Sequence, residues 1–315
     1  MTHFFRKGGA MSKILVVGST TVDIVLEVDR LPAREEDVLI RNRTMALGGC
    51  AFNAASALRA LGEPHELFCP VGSGPFGAFV RERFAELGVA TRIPPVGEEN
   101  GCCYCLVEPC GERTFIALHG AEYSFEAAWF DALDLREYDM VYVCGFEIEH
   151  RTGAVVVDFL ERCAEAARVF FAPGTRVAAL PVPLVERILD LHPLLHVNSA
   201  EALAAAERYL GAGPADERAA ARLLCARTSA PVITTLGAAG CWYETGVERG
   251  LVPGVSARVV DTIGAGDAHA GATMGCLHRG LSLPEALARA NRVAAAVVGV
   301  KGATLPEGAF DGSEL

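Results

Sequence analysis

The stretch DTIGAGDAHAGA, residues 261–272, places a glycine-rich turn immediately before a run of helix-forming residues, with an acid where the two meet. Backbone N–H groups at a helix start lack partners within the helix, and the helix dipole adds partial positive charge there. Gly264, Ala265 and Gly266 leave those groups open to phosphate oxygens. Asp267 would repel a resting anion, but it can take a proton from an attacking hydroxyl. On this stretch alone, an ordinary helix-start acid after a tight turn explains the pattern equally well.

The rest of the chain has the pattern of an α/β protein. From residue 139 onward, short apolar runs such as MVYVCG alternate with amphipathic segments such as VVVDFLERCAEAA. This alternation predicts a parallel sheet with helices on both faces, and KILVVGS at 13–19 is predicted as a buried first strand. We see no internal repeat and no linker in the sequence. We therefore predict a single domain at 11–315, with residues 1–10 an N-terminal extension or an expression remnant.

Composition narrows the classes of partner. The formal net charge of −11 argues against nucleic acid, whose phosphate backbone requires a basic protein surface. No apolar run reaches the length of a bilayer span, and the first residues lack the apolar core of a secretory signal, so we expect no membrane partner. The eleven cysteines are scattered and odd in number, which favours free thiols in a reducing cytoplasm over a disulfide framework.

A second helix predicted to start at glycines, GGCAFNAASALRALG at 48–62, carries an asparagine in its first turn. Together with DTIGAGD, it resembles the ribokinase-like family of carbohydrate and nucleoside kinases. The resemblance covers residues 13–310 in the family's order. It continues in GSTTVD (18–23), GERTF (111–115), NSAE (198–201), TTLGAAG (234–240) and ANRVAAAVVGVKGA (290–303). Each motif is weak to moderate alone, whereas six or more in order are a strong signal.

The resemblance implies a ribokinase-like α/β fold, in which a central, mostly parallel sheet is flanked by helices on both faces. It also implies a small β-strand lid, formed by strands within about 23–47 and 99–118. In this family the exposed faces of such lids often pair between subunits, so a homodimer through the lid is expected. Closing the lid would expel water from the site and protect ATP from hydrolysis.

The resemblance also implies a role for individual residues. Asp267 would be the general base that deprotonates the acceptor hydroxyl, and Gly264, Ala265 and Gly266 would form the anion hole for the γ-phosphoryl group. The other roles are acceptor binding by Asp23, Gly49 and Asn53; nucleotide binding by Thr235, Gly237 and Asn291; Mg²⁺ binding, through water, by Asn198 and Glu201; and binding of a monovalent cation such as K⁺ by Asp261 and backbone carbonyls around Ile263 and 298–302.

Several of these residues also have plain structural interpretations. Asn198 with Glu201 has the spacing of a capping box, and Asn291 could satisfy a buried carbonyl inside its helix. Thr235 could be only a strand-end residue, and Asp23 only a polar strand residue. The chain also departs from the family at two positions: Cys50 stands where ribokinases carry a lysine, which puts ribose specificity in doubt, and His269 stands where a phenylalanine is usual.

Two further patterns are expected to be misleading. GSGPFG at 72–77 fits a dinucleotide-binding glycine motif, but the acids at the required distance, Glu98 and Glu99, lie in a predicted loop. The pattern also falls in the second βα unit, so an oxidoreductase is disfavoured. The cysteines between Cys102 and Cys110 lack paired metal-ligand spacing and are interpreted as small buried thiols.

The sequence therefore predicts an ATP- and Mg²⁺-dependent kinase that phosphorylates a primary hydroxyl of a small neutral sugar, as ribokinases and fructokinases do. Two alternatives stay open: a nucleoside kinase of the same family, and a non-catalytic sugar-binding sensor on a kinase fold. A phosphorylated acceptor would need fixed cations. The predicted lid holds Arg41, Arg43 and Arg113. Arg41 and Arg43 share a strand face and could grip a phosphate there, but a charged, solvent-facing strand edge is the favoured interpretation.

Overall fold

The computed structural model describes residues 12–110, 112–306 and 309–310. The extension predicted at 1–10 lies outside these residues, as does Gly111 of the GERTF motif. The strands, in chain order, are β1 (Lys13–Val17), β2 (Thr21–Val28), β3 (Ile40–Gly48), β4 (His65–Phe68), β5 (Cys102–Val107), β6 (Arg113–Leu118), β7 (Tyr138–Cys144), β8 (Arg168–Ala172), β9 (Leu194–Asn198), β10 (Val232–Thr235), β11 (Gly240–Glu244) and β12 (Arg249–Pro253).

Ten α-helices connect these strands within the described part of the chain. They are α1 (Cys50–Ala60), α2 (Gly74–Leu87), α3 (Ala127–Asp131), α4 (Gly145–Glu149), α5 (Gly153–Cys163), α6 (Val182–Asp190), α7 (Ser199–Leu210), α8 (Glu217–Thr228), α9 (Ala265–His278) and α10 (Leu283–Val298). The two helices predicted to start at glycines, α1 and α9, both begin directly after a glycine with positive φ, Gly49 and Gly264.

The large sheet has eight strands in the order β12-β11-β10-β9-β8-β7-β1-β4. The strands from β4 to β10 pair in parallel, and β11 and β12 extend the sheet as antiparallel neighbours. Residues of β1 alternate between two buried clusters, because successive strand side chains point to opposite faces of a sheet. Both faces of β1 are covered, which explains its unbroken apolar sequence.

Helices cover both faces of the large sheet. On one face, α5, α6, α7 and α8 contribute to the buried cluster that contains Leu15 and Val17. On the other, α1, α2, α9 and α10 contribute to the cluster that contains Ile14 and Val16. The fold class predicted from the sequence, a mostly parallel sheet between helical layers, is confirmed.

A separate sheet has four strands in the order β3-β2-β5-β6. We call it the small sheet. Its strands fall on the two segments predicted to form a lid, and β5 and β6 form the hairpin that the sequence indicates. The register places Asp23 opposite Cys103 and, four residues further along β2, Glu27 opposite Val107. Val107 in turn pairs with Arg113, so Asp23, Glu27 and Arg113 lie on the same face, the inner face.

Two global properties of the described residues bear on the sequence predictions. Among the described residues, no helix combines the length and apolar character that crossing a bilayer requires. All eleven cysteines fall within the described residues, and each is a free thiol.

Candidate active site

The predicted site residues converge where the parallel strands of the large sheet end. Ligands of open α/β sheets bind in a crevice outside the carboxyl ends of the strands. Asn198 at the end of β9 pairs in register with Thr235 at the end of β10. On the other side of the same edge, β1 leads into the segment that carries Ser19, and β7 leads into α4. The inner face of the small sheet brings Asp23 to this edge.

The start of α9 has the geometry of an anion-binding site. Gly264 is the N-cap, its φ of +73° lies in the left-handed region that favours glycine, and no side-chain cap bonds to it among the described residues. A Cβ atom at this position would lie 2.5 Å from the Cβ of Ala303, so glycine is required sterically as well. A Cβ on Gly266 would meet open space, which leaves room beside the first-turn N–H groups for a phosphoryl oxygen.

Asp267 lies in the first turn of α9 and points towards the start of α1. Its Oδ2 accepts a hydrogen bond of 2.9 Å from Nδ2 of Asn53, which is buried in the first turn of α1. Burial raises the pKa of Asp267 from its ordinary value of 3.8 to about 6, although hydrogen bonds from Asn53 and Cys50 oppose this change. A carboxylate whose pKa is close to neutral is suited to accept a proton during catalysis.

Asp23 is the second carboxylate of the site. Burial raises its pKa to about 6, and the nearby negative charge of Asp267 contributes to the increase, so the two carboxylates face the same space. A Cβ on Gly48 would collide with the Asp23 carboxylate. Gly49 has a φ of +96°, and a Cβ there would lie 2.6 Å from the carbonyl oxygen of Ser19. The glycine pair before α1 therefore lets that helix start approach both Asp23 and the end of β1.

The sequence analysis missed a third carboxylate, Glu147 in α4. It is fully buried, and its Oε1 accepts a hydrogen bond of 2.9 Å from the backbone N–H of Ser19. Its Oε2 is buried without a hydrogen-bond partner among the described residues. Burial raises the pKa of Glu147, and the negative charge of Glu147 raises the pKa of Asp267. The side chains of Cys144 and Ser19 also lie close enough to this carboxyl to oppose the increase, so Glu147 ties the end of β1 to α4 beside the acceptor residues.

Asn198 and Glu201 form the capping box that their spacing allows. The Oδ1 of Asn198 accepts from the Glu201 N–H at 2.9 Å, and the Glu201 Oε2 accepts from the Asn198 N–H at 3.0 Å. The charge of Glu201 also raises the pKa of Asp267, so the two carboxylates are near each other. Carboxylate oxygens held in this way can still accept hydrogen bonds from the water shell of Mg²⁺. The residues therefore fit a magnesium ion bound through water.

The residues predicted to bind the nucleotide occupy the other half of the strand edge. Gly237 follows β10 with a φ of +59°, and a Cβ there would meet open space. Thr235 donates weakly to the Val197 carbonyl at 3.4 Å, as a strand-end residue does. Asn291 is buried in α10 and donates to the carbonyl of Pro253 at 3.1 Å and to that of Val252 at 3.3 Å. Its side chain therefore joins α10 to the end of β12.

His269 is buried two residues after Asp267, on the side of α9 that faces the large sheet. Its Nδ1 lies 2.9 Å from Nε2 of His196 in β9, and both rings are buried. Burial lowers the pKa of His269 to about 4 and lowers the pKa of His196 well below its ordinary value. Both rings are therefore neutral at pH 7. One ring donates its N–H to the other, and this hydrogen bond joins α9 to the sheet.

The residues predicted to bind a monovalent cation do not fit one in this conformation. The Oδ1 of Asp261 accepts from the Ile263 N–H at 2.9 Å and from the guanidinium of Arg113, and its Oδ2 accepts from the Gly302 N–H at 3.0 Å. Three of about four acceptor positions of the carboxylate are thus filled by protein donors. The positive charge of Arg113 also repels a second cation.

The two patterns expected to be misleading have structural explanations. Helix α2 begins inside GSGPFG, at Gly74, and the Glu99 carboxylate accepts from the Gly77 N–H at 3.2 Å, so it fills the place of a ligand anion. Cys102, Cys103 and Cys105 lie on β5. The interpretation as buried thiols is correct for Cys102 and Cys105, whereas Cys103 is half-buried and Cys110 is exposed because it lies in the turn after β5. Within the described residues, no group of three or more histidine, cysteine or acidic side chains is arranged to hold a metal ion.

A helix start that is open to an anion and lies beside a carboxylate is the arrangement that phosphoryl transfer requires. Comparison with known proteins identifies the family. The sequence profile described as "pfkB family carbohydrate kinase" matches residues 11–308. The chain belongs to this family of kinases, which confirms the resemblance found in the sequence.

Individual relatives support the same assignment. The chain is 34% identical over 289 residues to the uncharacterized sugar kinase YegV of Escherichia coli (strain K12), covering 92% of this chain and 89% of that protein. Its fold is similar to the structure of ribokinase from Giardia lamblia, with a TM-score of 0.80, 22% identity, and coverage of 94% of this chain and 98% of that chain. It is also similar to a Burkholderia thailandensis nucleoside kinase in complex with inosine, with a TM-score of 0.77, 21% identity, and 92% coverage of both chains.

Proposed function

We propose that this kinase transfers the γ-phosphoryl group of ATP to a primary hydroxyl of a small neutral sugar. The observation that carries the proposal is the position of Asp267, which lies in the first turn of a helix whose start is open to an anion and is hydrogen-bonded to Asn53. The same carboxylate can thus reach an acceptor hydroxyl held by Asn53 and Asp23 and a phosphoryl group held at Gly264–Gly266. A sensor that only binds sugar would need neither a proton acceptor nor an open helix start for a phosphoryl group.

In the proposed reaction, Asp267 accepts the proton of the acceptor hydroxyl. The hydroxyl oxygen forms a bond to the γ-phosphorus as the bond to the β,γ-bridging oxygen breaks, and that electron pair leaves with ADP. The N–H groups of Gly264, Ala265 and Gly266 stabilise the charge that spreads over the transferred oxygens. Glu201 and Asn198 would hold Mg²⁺ through water, and the ion would supply positive charge to the phosphates. Thr235, Gly237 and Asn291 would position the nucleotide.

The charges around the acceptor side favour a neutral acceptor. Asp23 and Asp267 place two carboxyl groups on this side of the site, and the buried Glu147 lies near Asp267, so the negative charge here would repel a sugar phosphate. Arg41 is exposed and pairs with Asp29, with its Nε 3.0 Å from Oδ2.

Arg43 pairs in register with Leu26, whose position in β2 faces away from the side that carries Asp23. The two arginines are therefore part of a solvent-facing strand edge, as the sequence analysis favoured, and they do not supply cations to the acceptor site.

A nucleoside is the second candidate acceptor, and one observation favours it. Phe115 lies on the inner face of the small sheet, one row from Asp23, and its side chain is 54% exposed. An exposed aromatic ring beside a sugar site can stack on a nucleobase. A nucleobase adds a flat aromatic face that a free sugar lacks, so replacing Phe115 should affect a nucleoside more than a free sugar.

We further propose a homodimer formed through the outer face of the small sheet. Tyr104, Ile116 and Leu118 lie on the face opposite Asp23, and all three are exposed. A contiguous exposed apolar patch commonly marks a protein interface. Light scattering should give twice the chain mass for the wild type and the chain mass for Ile116→Asp. A wild-type monomer would contradict this proposal. The free cysteines fit a reducing compartment, and we propose the cytoplasm.

The experiment that tests the function is a screen for acceptor-dependent ADP release. Purified protein, ATP and Mg²⁺ are incubated with pentoses, hexoses, nucleosides and their phosphate esters. We expect turnover of at least one neutral acceptor, with its phosphate ester slower. Phe115→Leu should lower kcat/KM for a nucleoside more than for a free sugar. Turnover of phosphate esters alone would contradict the neutral acceptor, and ATP-independent sugar binding without turnover would support a sensor.

A further inference from the structure

The ion pair between Arg113 and Asp261 connects two parts of the molecule that are 148 residues apart in sequence. Arg113 begins β6 at the edge of the small sheet, on its inner face. Asp261 begins the loop that ends at the anion-binding start of α9. The two side chains are mostly shielded, with 17% and 7% of their respective surfaces exposed. A shielded charge pair holds its geometry more strongly than an exposed surface pair does.

The Asp261 carboxylate organises the loop from within. It accepts the N–H of Ile263, which leads into Gly264, and the N–H of Gly302 in the turn after α10. Ala303 in that turn is packed so closely against Gly264 that no Cβ would fit there. The position of Gly264, and hence of the first N–H groups of α9, therefore depends on a buried carboxylate whose charge has to be balanced.

On this basis, and resting on the proposed kinase function, we propose that Arg113 supplies the positive charge that a monovalent cation would otherwise provide beside Asp261. Arg113 is then a positioning residue. Its guanidinium completes the charge balance of the loop that holds the anion-binding helix start. The activity of the wild-type enzyme is consequently independent of K⁺.

A second ion pair provides a matched control. Glu27 lies in the same row of the inner face as Arg113, two strands away, and its Oε1 accepts from the Nζ of Lys301 at 3.0 Å. Lys301 belongs to the turn that also carries Gly302, so both pairs join the small sheet to the same turn. The Glu27–Lys301 pair is exposed, at 41% and 60%, and does not involve Asp261. Lys301→Ala therefore removes one contact of the small sheet without uncovering the loop carboxylate.

The test compares the wild type, Arg113→Ala, Arg113→Lys and Lys301→Ala in tetramethylammonium chloride and in KCl of equal ionic strength. We expect the wild type and Lys301→Ala to turn over at equal rates in both salts. Arg113→Ala should lose roughly tenfold or more in kcat without K⁺, because it leaves a buried carboxylate unpaired, and should recover with K⁺ or with free guanidinium. Arg113→Lys should retain most of the K⁺ independence, since it keeps the charge.

Thermal unfolding of the four proteins without substrates gives a readout that does not depend on activity. K⁺ should raise the melting temperature of Arg113→Ala, because a ligand that binds only the native state stabilises it, and should leave the wild type unchanged. This readout stands even if no acceptor is turned over, so failure of the proposal and failure of the kinase function are distinguishable.

Three results would overturn the proposal. Stimulation of the wild type by K⁺ would show that a cation binds alongside Arg113. An Arg113→Ala variant that neither K⁺ nor guanidinium rescues would show that the guanidinium is not a charge substitute. The third is an Arg113→Ala variant whose KM for ATP rises while its dependence on cations stays that of the wild type. It would assign Arg113 to the nucleotide phosphates, since its Nε is buried without a partner among the described residues.

Discussion

Replacing Asp267 with asparagine should lower kcat strongly and, at the same time, stabilise the fold. Burial raises the pKa of Asp267 from 3.8 to about 6, so the native state binds this proton more tightly than the unfolded chain does. The stabilisation that the proton provides is complete below pH 3.8 and is lost as the pH rises through about 6. At about 1.4 kcal/mol for each pKa unit, ionised Asp267 lowers the free energy of unfolding by about 3 kcal/mol at about pH 8.

Because the residue is partly exposed, this figure is an upper bound. The asparagine side chain keeps the shape and an acceptor for the Asn53 amide but carries no charge. Urea unfolding should therefore show that Asp267→Asn is more stable than the wild type at about pH 8. About half of that advantage should be gone at about pH 5, where native Asp267 is mostly protonated. Removing the Asp267 charge also removes its repulsion of the Asp23 carboxylate, which further raises the free energy of unfolding.

The control is Asp37→Asn, which removes an exposed carboxylate in a loop. Its difference from the wild type should be the same at both pH values. The reasoning fails if Asp267→Asn is less stable than the wild type at the higher pH, or if the gap between them does not widen from the lower pH to the higher. Either result would mean that the Asp267 carboxylate is not held in a desolvated site.

Three further substitutions test the other side chains of the site. Asp23→Ala should raise the acceptor KM roughly tenfold to a hundredfold through loss of a charge-assisted hydrogen bond, with the KM for ATP unchanged; an unchanged acceptor KM would place the sugar elsewhere. Glu147→Gln keeps an acceptor for the Ser19 N–H and removes a negative charge that raises the pKa of Asp267, so the acidic limb of the kcat–pH profile should shift to lower pH. If the pH profile does not shift, the role of Glu147 is only structural. Glu201→Gln should shift a Mg²⁺ titration of activity to higher concentration without altering acceptor affinity; a curve that overlays the wild type would leave the capping box as its whole role.

Much of the fold could be predicted because its signals are local. Glycines before α1 and α9 predict both helix starts, since positive φ and close approach of the backbone need no knowledge of distant residues. Alternation of apolar runs and helices predicts the parallel sheet. The capping box of Asn198 and Glu201 was readable for the same reason, because three residues of spacing determine it.

The features that the sequence did not reveal depend on which distant segments become neighbours. Glu147 follows a buried strand as many helix-start acids do, and it becomes a site residue only because β7 lies beside β1. The contact of Arg113 with Asp261 depends on how the small sheet docks on the large one, which no local pattern encodes. A cation at Asp261 was therefore predicted where the structure places a guanidinium.

The most direct test of the central claim is kcat of Asp267→Asn with the best neutral acceptor found in the screen, measured together with ATP affinity by titration calorimetry. If Asp267 is the general base, kcat should fall by roughly 10²–10⁴ while ATP affinity stays close to that of the wild type. Retention of more than about a tenth of the wild-type kcat would contradict the assignment of Asp267 as the base.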